Sequence, residues 1–162
     1  MDSSALEDLL AKGENLQVEF KSDQKCLPDR ELVAAVVALA NTEGGDLLLG
    51  VEDNGAITGL HPNHQDTDGL AALIANRTNP PISVKVENLQ VGSRSIAHIR
   101  VPKSRQIVST SEGLLQRRRL TANGRPEAVP FYPHEFTQRQ SVLGLTDPSA
   151  TPIPDLTSGD LN

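Results

Sequence analysis

The feature that most limits the possible folds is an unbroken apolar run, Leu47-Leu48-Leu49-Gly50-Val51, which follows Gly44-Gly45 after one residue, Asp46. A continuous apolar run is typical of a strand that is covered on both faces. Asn54-Gly55 comes next and is the strongest short signal for a type I′ hairpin turn. Residues 56–60 are then predicted to return as a second strand. The chain is therefore predicted to build its core around residues 47–51.

Other patterns place helices and strands around this central strand. Helices are predicted over residues 4–12 with Ser4 as N-cap, from an N-cap at Asp29 to an end near residues 41–45, over 66–78, and from Pro133 to about Val142. Strands are predicted over residues 16–21, 82–87, 96–101, 106–110 and 114–119. This order predicts the α+β class, with a mixed sheet of two or more hairpins and flanking helices.

The length of 162 residues is enough for one domain. We expect residues 1–143 to form it, because residues 144–162 are rich in Pro, Ser, Thr and Asp, a composition typical of a linker or disordered tail. The sequence has no apolar stretch of about 18 residues and no apolar signal core near Met1. These observations predict a cytoplasmic protein that has no membrane partner.

The charge of the chain is unevenly distributed. The formal net charge is −6, yet residues 94–125 hold 8 basic and 1 acidic side chains, a net charge of +7. Such a basic block can bind a polyanion whatever the sign of the whole chain, although it can equally be an ordinary solvated face. The residues predicted to contact phosphate are Arg100, Lys103, Arg105, Arg117, Arg118, Arg119 and Arg125. Because no aromatic residues interleave with them, we expect electrostatic binding with little sequence preference.

Three segments occur in a recognisable order: Gly13–Lys21, which contains Val-Glu-Phe-Lys; Ala38–Gly45, which contains Ala-Asn-Thr-Glu-Gly-Gly; and Leu48–Gly59, with its Gly-Val-Glu-Asp-Asn-Gly. Together they resemble the Schlafen/AlbA-like domain, a family often described as a DNA-binding domain of bacterial regulators. The resemblance covers about residues 4–130. It implies an α+β sheet with flanking helices and a nucleic-acid partner. Because relatives pair two such lobes, it also implies a homodimer.

The same resemblance implies a metal site. In nuclease members of the family, three carboxylates at the positions of Glu14, Glu19 and Asp53 hold a divalent metal for RNA cleavage. Hard oxygen ligands of this kind suit Mg²⁺ or Mn²⁺. Strict strand alternation would place Glu14 and Glu19 on opposite faces, so they converge only if the strand begins after Glu14. Lys21 is then a candidate to contact phosphate beside the metal, or simply to neutralise Glu19.

Three functions follow from these patterns. The first is a nucleic-acid-binding domain of the transcriptional-regulator type that uses the 94–125 block. The second is a metal-dependent endoribonuclease that uses Glu14, Glu19 and Asp53. The third is a non-catalytic oligomerisation or sensing module.

The sequence indicates no function for the histidines or the cysteine. His61 and His64 have the spacing of a ligand pair, but neither a carboxylate cluster nor a cysteine lies nearby in the sequence, so we expect loop histidines. Cys26 is the single cysteine and has no visible Cys/His partner arrangement, so we expect an inert thiol.

Overall fold

The computed structural model describes residues 1–131 and Glu135. Within that part, the helices are α1 (Ser3–Lys12), α2 (Asp29–Ala40) and α3 (Thr67–Asn76), and a 3₁₀ turn spans Pro62–His64. The strands are β1 (Val18–Lys21), β2 (Gly45–Leu49), β3 (Thr78–Asn79), β4 (Lys85–Val91), β5 (Arg94–Val101), β6 (Ser109–Thr110), β7 (Gln116–Leu120) and β8 (Pro126–Pro130). The predicted α+β class is confirmed.

A mixed four-stranded sheet with the order β1-β2-β5-β4 forms the centre of the fold. β1 runs parallel to β2, whereas β5 pairs antiparallel with both β2 and β4. The predicted hairpin of β4 and β5 is therefore confirmed. Two further two-stranded pieces, β3–β6 and β7–β8, lie outside this sheet.

The central strand is covered on both faces, as its apolar run predicts. Leu47 and Leu49 face a large cluster formed with α2, α3 and β5, whereas Leu48 faces a smaller cluster with Leu6 of α1 and Phe20 of β1. All three leucines are fully buried. Because each fully buried aliphatic side chain contributes about 1.5–3 kcal/mol, this strand is a major source of the fold's stability.

The turn after this strand differs from the predicted type I′ turn. The Gly55 N–H donates to the Glu52 carbonyl at 2.8 Å, so Asp53 and Asn54 are the two central residues. Neither has a positive φ, whereas Gly55 has φ 87°. This is a type I turn followed by a left-handed glycine, the usual geometry of a three-residue hairpin loop. The predicted return strand 56–60 is reduced to an isolated bridge between Val51 and Ile57.

Two helix starts also differ from prediction. Asp2, rather than Ser4, caps α1, because its carboxylate accepts the Ala5 N–H at 2.8 Å. Pro28 occupies the cap position of α2 and Asp29 is the first helical residue. A proline pre-sets the backbone for a helix start without a side-chain hydrogen bond.

The predicted helix from Pro133 to about Val142 lies outside the described residues except for Glu135, and the predicted tail 144–162 lies outside them entirely. Among the helices of residues 1–131, none combines the length and apolarity needed to cross a membrane.

Candidate functional site

The segment from Asn41 to Gly45 joins α2 to β2 and anchors the second half of the chain. The Asn41 side chain donates to the carbonyls of Val108 and Gln116 at 2.8 and 2.9 Å and accepts the Val108 N–H at 2.8 Å. The Gly44 N–H is bonded to the Leu39 carbonyl at 2.8 Å. Since these polar groups already have protein partners, the segment is a structural corner rather than a phosphate cradle.

Arg118 is the centre of the most extensive polar network around this corner. Its side chain is 3% exposed. The guanidinium donates to the Glu19 carboxylate and to the carbonyls of Asn15, Leu16 and Val18. The Arg118 N–H donates to Thr42 Oγ1 at 2.8 Å. One buried cation therefore ties the β7–β8 hairpin to β1 and to the end of α2.

Glu14 and Glu19 lie on the same side of β1. The strand begins at Val18, and an isolated bridge between Asn15 and Val18 marks a tight reversal just before it. The Glu14 side chain folds back so that its Oε1 accepts the Phe20 N–H at 2.9 Å. The condition for convergence, a strand that starts after Glu14, is thus met, and the reversal supplies the rotation.

The Glu14 carboxyl is held in an environment that resists ionisation. Its pKa is raised from 4.5 to about 7, chiefly by burial and also by the nearby carboxyl groups of Glu19 and Asp53, against the opposing effect of the Phe20 N–H. Neighbouring carboxylates compete for charge in this way when they share one site. The three predicted carboxylates are therefore close enough to interact electrically.

The donor atoms of this site fit a hard divalent cation in chemical type. Arg118 engages Glu19 Oε1, and Lys21 Nζ lies 3.9 Å from Glu19 Oε2. Asp53 is exposed in its turn. In residues 1–131 and at Glu135, the structure contains no group of three or more His, Cys, Asp or Glu side chains spaced to hold a metal ion. Glu14, Glu19 and Asp53 therefore form no such three-carboxylate group in this structure.

A polar cleft of about 330 Å³ opens beside Glu19. It lies between β1, α2 and the β7–β8 hairpin. Its charged and polar lining residues are Glu19, Lys21, Glu31, Gln116, Arg118 and Glu127. Three carboxylates and two cations line it, so the cleft carries charges of both signs.

The residues of the basic block are distributed over three segments: β5, the loop after it, and the β7–β8 hairpin. Most of them are paired with carboxylates: Arg100 with Asp46, Lys103 with Glu43, Arg117 with Glu135, Arg118 with Glu19, and Arg119 with Glu127. Arg105 and Arg125 are exposed and make no ion pair within the described residues. Exposed pairs such as Lys103–Glu43 are weak, so a phosphate can replace the carboxylate.

Sequence reasoning missed the polar cluster around Asp46 on β2. Asp46 Oδ1 contacts His98 Nε2 at 2.6 Å, and Oδ2 accepts from Arg100 at 2.9 Å. Burial alone would raise the pKa of Asp46, but the His98 and Arg100 contacts outweigh it and hold the pKa below 3.8. The sequence signal for this cluster was Asp46 itself, a single polar residue beside an apolar run. A polar side chain in such a strand needs hydrogen-bond partners, which the adjacent strand supplies.

The raised pKa of Glu14 predicts a pH-dependent effect of Glu14→Gln. Between about pH 4.5 and pH 7 the folded protein keeps a proton that the unfolded chain has released, so the wild type loses stability as the pH rises through this window. The introduced amide mimics the protonated form, since it can accept from Phe20 and donate to Glu19. We expect the variant to have a higher melting temperature than the wild type at about pH 8 and an equal one at about pH 4.

The matched control is Glu7→Gln on the exposed side of α1, which should show no such divergence. Equal melting temperatures of wild type and Glu14→Gln at both pH values would contradict the crowded carboxyl site.

A family model described as Schlafen, AlbA_2 matches residues 14–125 of this chain. A crystal structure of the DIP2311 protein from Corynebacterium diphtheriae aligns with a TM-score of 0.66 at 22% identity, over 86% of this chain and 32% of that chain. A solution NMR structure of the N-terminal domain of a protein from Nitrosomonas europaea, described as related to the ATP-dependent DNA helicase RecG, aligns with a TM-score of 0.46 at 26% identity. That alignment covers 64% of this chain and 75% of the other. The chain thus spans about a third of the length of the corynebacterial protein.

Proposed function

We propose, from the premise that this chain belongs to the Schlafen, AlbA_2 family, that it is a nucleic-acid-binding domain of the transcriptional-regulator type. The observation that carries the proposal is the set of exposed cations on β5, the following loop and the β7–β8 hairpin. Contact with the phosphate backbone supplies most of the affinity in such binding, and it carries little sequence information.

Exposed and buried cations of the basic block differ in their access to a ligand. Arg100, Lys103, Arg105, Arg119 and Arg125 are exposed. Arg118 is buried and satisfied by four acceptors, so it supports the surface without facing a phosphate. A test of binding therefore has to change exposed residues and leave Arg118 in place.

The salt dependence of binding tests this proposal. Each phosphate contact adds about 0.9 to the log–log salt slope for duplex DNA and about 0.7 for single strands. The triple variant Arg100→Gln/Arg105→Gln/Arg125→Gln is expected to lower the slope by up to about 2–3 and to weaken binding similarly for unrelated sequences. Fluorescence anisotropy with labelled duplex DNA and structured RNA, over a series of salt concentrations, measures both.

Arg30→Gln is the matched control. Arg30 is an exposed arginine that is also paired with a carboxylate, at 3.1 Å from Glu112, but it lies outside the 94–125 block. It is expected to leave slope and affinity unchanged. A triple variant that binds like the wild type would remove these three residues from the interface. Binding to neither DNA nor RNA by the wild type would reject the function.

The second candidate function is metal-dependent endoribonuclease activity. The observation that favours it is the approach of Glu14 to Glu19 across the reversal before β1, with Asp53 near enough to add its charge. Bound Mg²⁺ or Mn²⁺ would supply an activated water and neutralise phosphate charge. Glu14 and Glu19 would hold the ion, Asp53 would add its charge from the exposed turn, and Lys21 would orient the phosphate from the side of Glu19.

Asp53→Asn is the sharpest variant for this candidate. Asp53 is exposed in a turn that Asn also suits, so the fold is expected to survive, whereas Glu19 is tied to buried Arg118. If the carboxylates act with a metal, RNA cleavage in Mn²⁺ or Mg²⁺ should fall by at least about 100-fold. Asp8→Asn on α1 is the control for lost surface charge. Cleavage that survives Asp53→Asn, or a wild type that cleaves no RNA, would reject this candidate and leave the binding proposal intact.

A further inference from the structure

The loop between β1 and α2 carries Asp23 and Cys26, and the fold places His64 of the 3₁₀ turn against it. Cys26 Sγ lies 4.0 Å from His64 Nε2, and His64 Nδ1 lies 2.9 Å from each oxygen of Asp23. The sequence predicts an inert thiol and a loop histidine at these positions, because 38 residues separate Cys26 from His64. The tertiary fold instead arranges them as nucleophile, base and orienting carboxylate.

The orientation of the His64 ring follows from its partner. Asp23 is fully buried, and His64 is 7% exposed. The Asp23 carboxylate also accepts the N–H groups of Leu27 and His61, each at 2.8 Å. Because an ionised carboxylate only accepts, the proton of the neutral imidazole lies on Nδ1. The lone pair of Nε2 therefore faces the Cys26 thiol and can take its proton.

The backbone at Cys26 is held in an unfavourable conformation. Cys26 has φ 59°, and within residues 1–131 it is the one residue other than glycine with a positive φ. A side-chain-bearing residue keeps such a conformation only where its surroundings impose it. Here the Cys26 N–H is bonded to the Asp23 carbonyl at 3.1 Å, so the residue that orients His64 also fixes the thiol.

We propose that Cys26 is a reactive thiol, activated by His64 and positioned by Asp23, that exchanges with small disulfides to form a mixed disulfide. His64 Nε2 takes the Cys26 proton, and the thiolate attacks one sulfur of the disulfide. The S–S bond of the reagent breaks as the new Cys26 S–S bond forms. The departing thiolate leaves with the proton from His64. The protein thiol is oxidised, and half of the reagent disulfide is reduced to a thiol.

The hydrogen-bond donors around Cys26 favour a disulfide over an acyl substrate. Acyl transfer develops an oxyanion that needs N–H donors beside the nucleophile. The N–H groups of Cys26 and Leu27 are both committed to Asp23, at 3.1 and 2.8 Å, and the Asn63 side-chain amide donates to Cys26 Sγ itself at 3.8 Å. Disulfide exchange keeps the negative charge on sulfur and needs no such donors. Because residues 1–162 hold a single cysteine, no second thiol among them resolves the product, which makes Cys26 a reversible modification site.

The experiment measures the rate at which the native protein releases chromophore from 5,5′-dithiobis(2-nitrobenzoate) at neutral pH. We expect the folded wild type to react at least about tenfold faster than the same chain in urea, because only the folded protein has His64 beside the thiol. His64→Gln is expected to remove that advantage. His61→Gln is expected to keep it, because the His61 Nδ1 accepts the Asn63 N–H rather than facing the thiol. Glutathione disulfide should then give one mixed disulfide per chain by mass, reversed by dithiothreitol.

The comparison of native and unfolded wild type needs no variant, so it decides the matter even if His64→Gln fails to fold. A native rate equal to or below the rate in urea would overturn the proposal. So would a folded His64→Gln protein that reacts as fast as the wild type. Loss of the advantage in Asp23→Asn, with recovery when Glu replaces Asp23, would distinguish a positioning role from a merely structural one.

Discussion

Replacing Arg118 by methionine is expected to lower the free energy of unfolding by about 3–5 kcal/mol, the range for removing one partner of a buried charge pair. The substitution leaves the Glu19 carboxylate and the carbonyls of Asn15, Leu16 and Val18 without their donor. Methionine preserves much of the apolar stem, so the loss reports the guanidinium rather than packing. Urea denaturation monitored by circular dichroism measures the change at constant m-value.

Arg119→Met is the matched control for this prediction. Arg119 is the next residue of the same strand and pairs with Glu127 at 2.8 Å, but it is exposed, so its loss should cost at most about 1 kcal/mol. The double variant Arg118→Met/Glu19→Gln should lose less stability than the sum of the two single variants. Arg118→Met leaves the Glu19 carboxylate buried without its cation, and Glu19→Gln removes that unpaired charge. A loss below about 1 kcal/mol for Arg118→Met would show that the network contributes little.

The elements that the sequence predicts correctly are those whose pattern is local. β2 is an apolar run between glycines, and β4 and β5 meet at Gly92, which has φ 63°. α2 has a wide apolar face, and it is buried as expected. In each case the hydrophobic period and the residues that end the element lie within one short stretch of sequence. The local preference for helix or strand is therefore already present, and tertiary contacts agree with it.

The β7–β8 hairpin shows where local patterns fail. β8 has the sequence Pro-Glu-Ala-Val-Pro, with a proline at each end and no clear alternation, so nothing local predicts a strand. It forms because β7 pairs with it and because Asn41 and Thr42 fix the start of β7. These contacts span more than 70 residues, and a single sequence does not display them.

In the candidate site, too, local features could be predicted and long-range contacts could not. Alternation along β7 predicts that Arg118 faces away from Arg117 and Arg119, and this is the arrangement observed. It does not reveal that Arg118 is buried against Glu19, which is 99 residues away. The pairing of Cys26 with His64 is equally invisible, because the loop and the 3₁₀ turn that carry them meet only in the fold. The sequence could therefore indicate which residues are candidates for the site. It could not indicate which side chains they contact, because those contacts depend on the topology of the fold.

Gly45→Ala is expected to destabilise the fold by more than about 4 kcal/mol, the range reserved for a specific structural conflict. A Cβ at this position would lie 2.0 Å from the Gln17 carbonyl oxygen, and Gly45 has φ 146°, which side-chain-bearing residues rarely adopt. The backbones of β1 and β2 therefore have to separate at the start of their parallel pairing. That pairing places Glu19 opposite Leu47, so the change also displaces the carboxylate that Arg118 holds.

Gly113→Ala separates the clash from the backbone effect. Gly113 has φ 95° but no atom within 4 Å of the Cβ position, so its substitution should cost only the strain of a positive φ, about 1 kcal/mol. Urea titrations of the two variants beside the wild type give the comparison, and a Gly45→Ala chain that shows no cooperative transition agrees with the prediction. If both variants unfold within about 1 kcal/mol of each other, close approach at Gly45 does not determine the position of β1. In that case the hydrogen bonds of Arg118, rather than strand packing, would have to hold Glu19 in place.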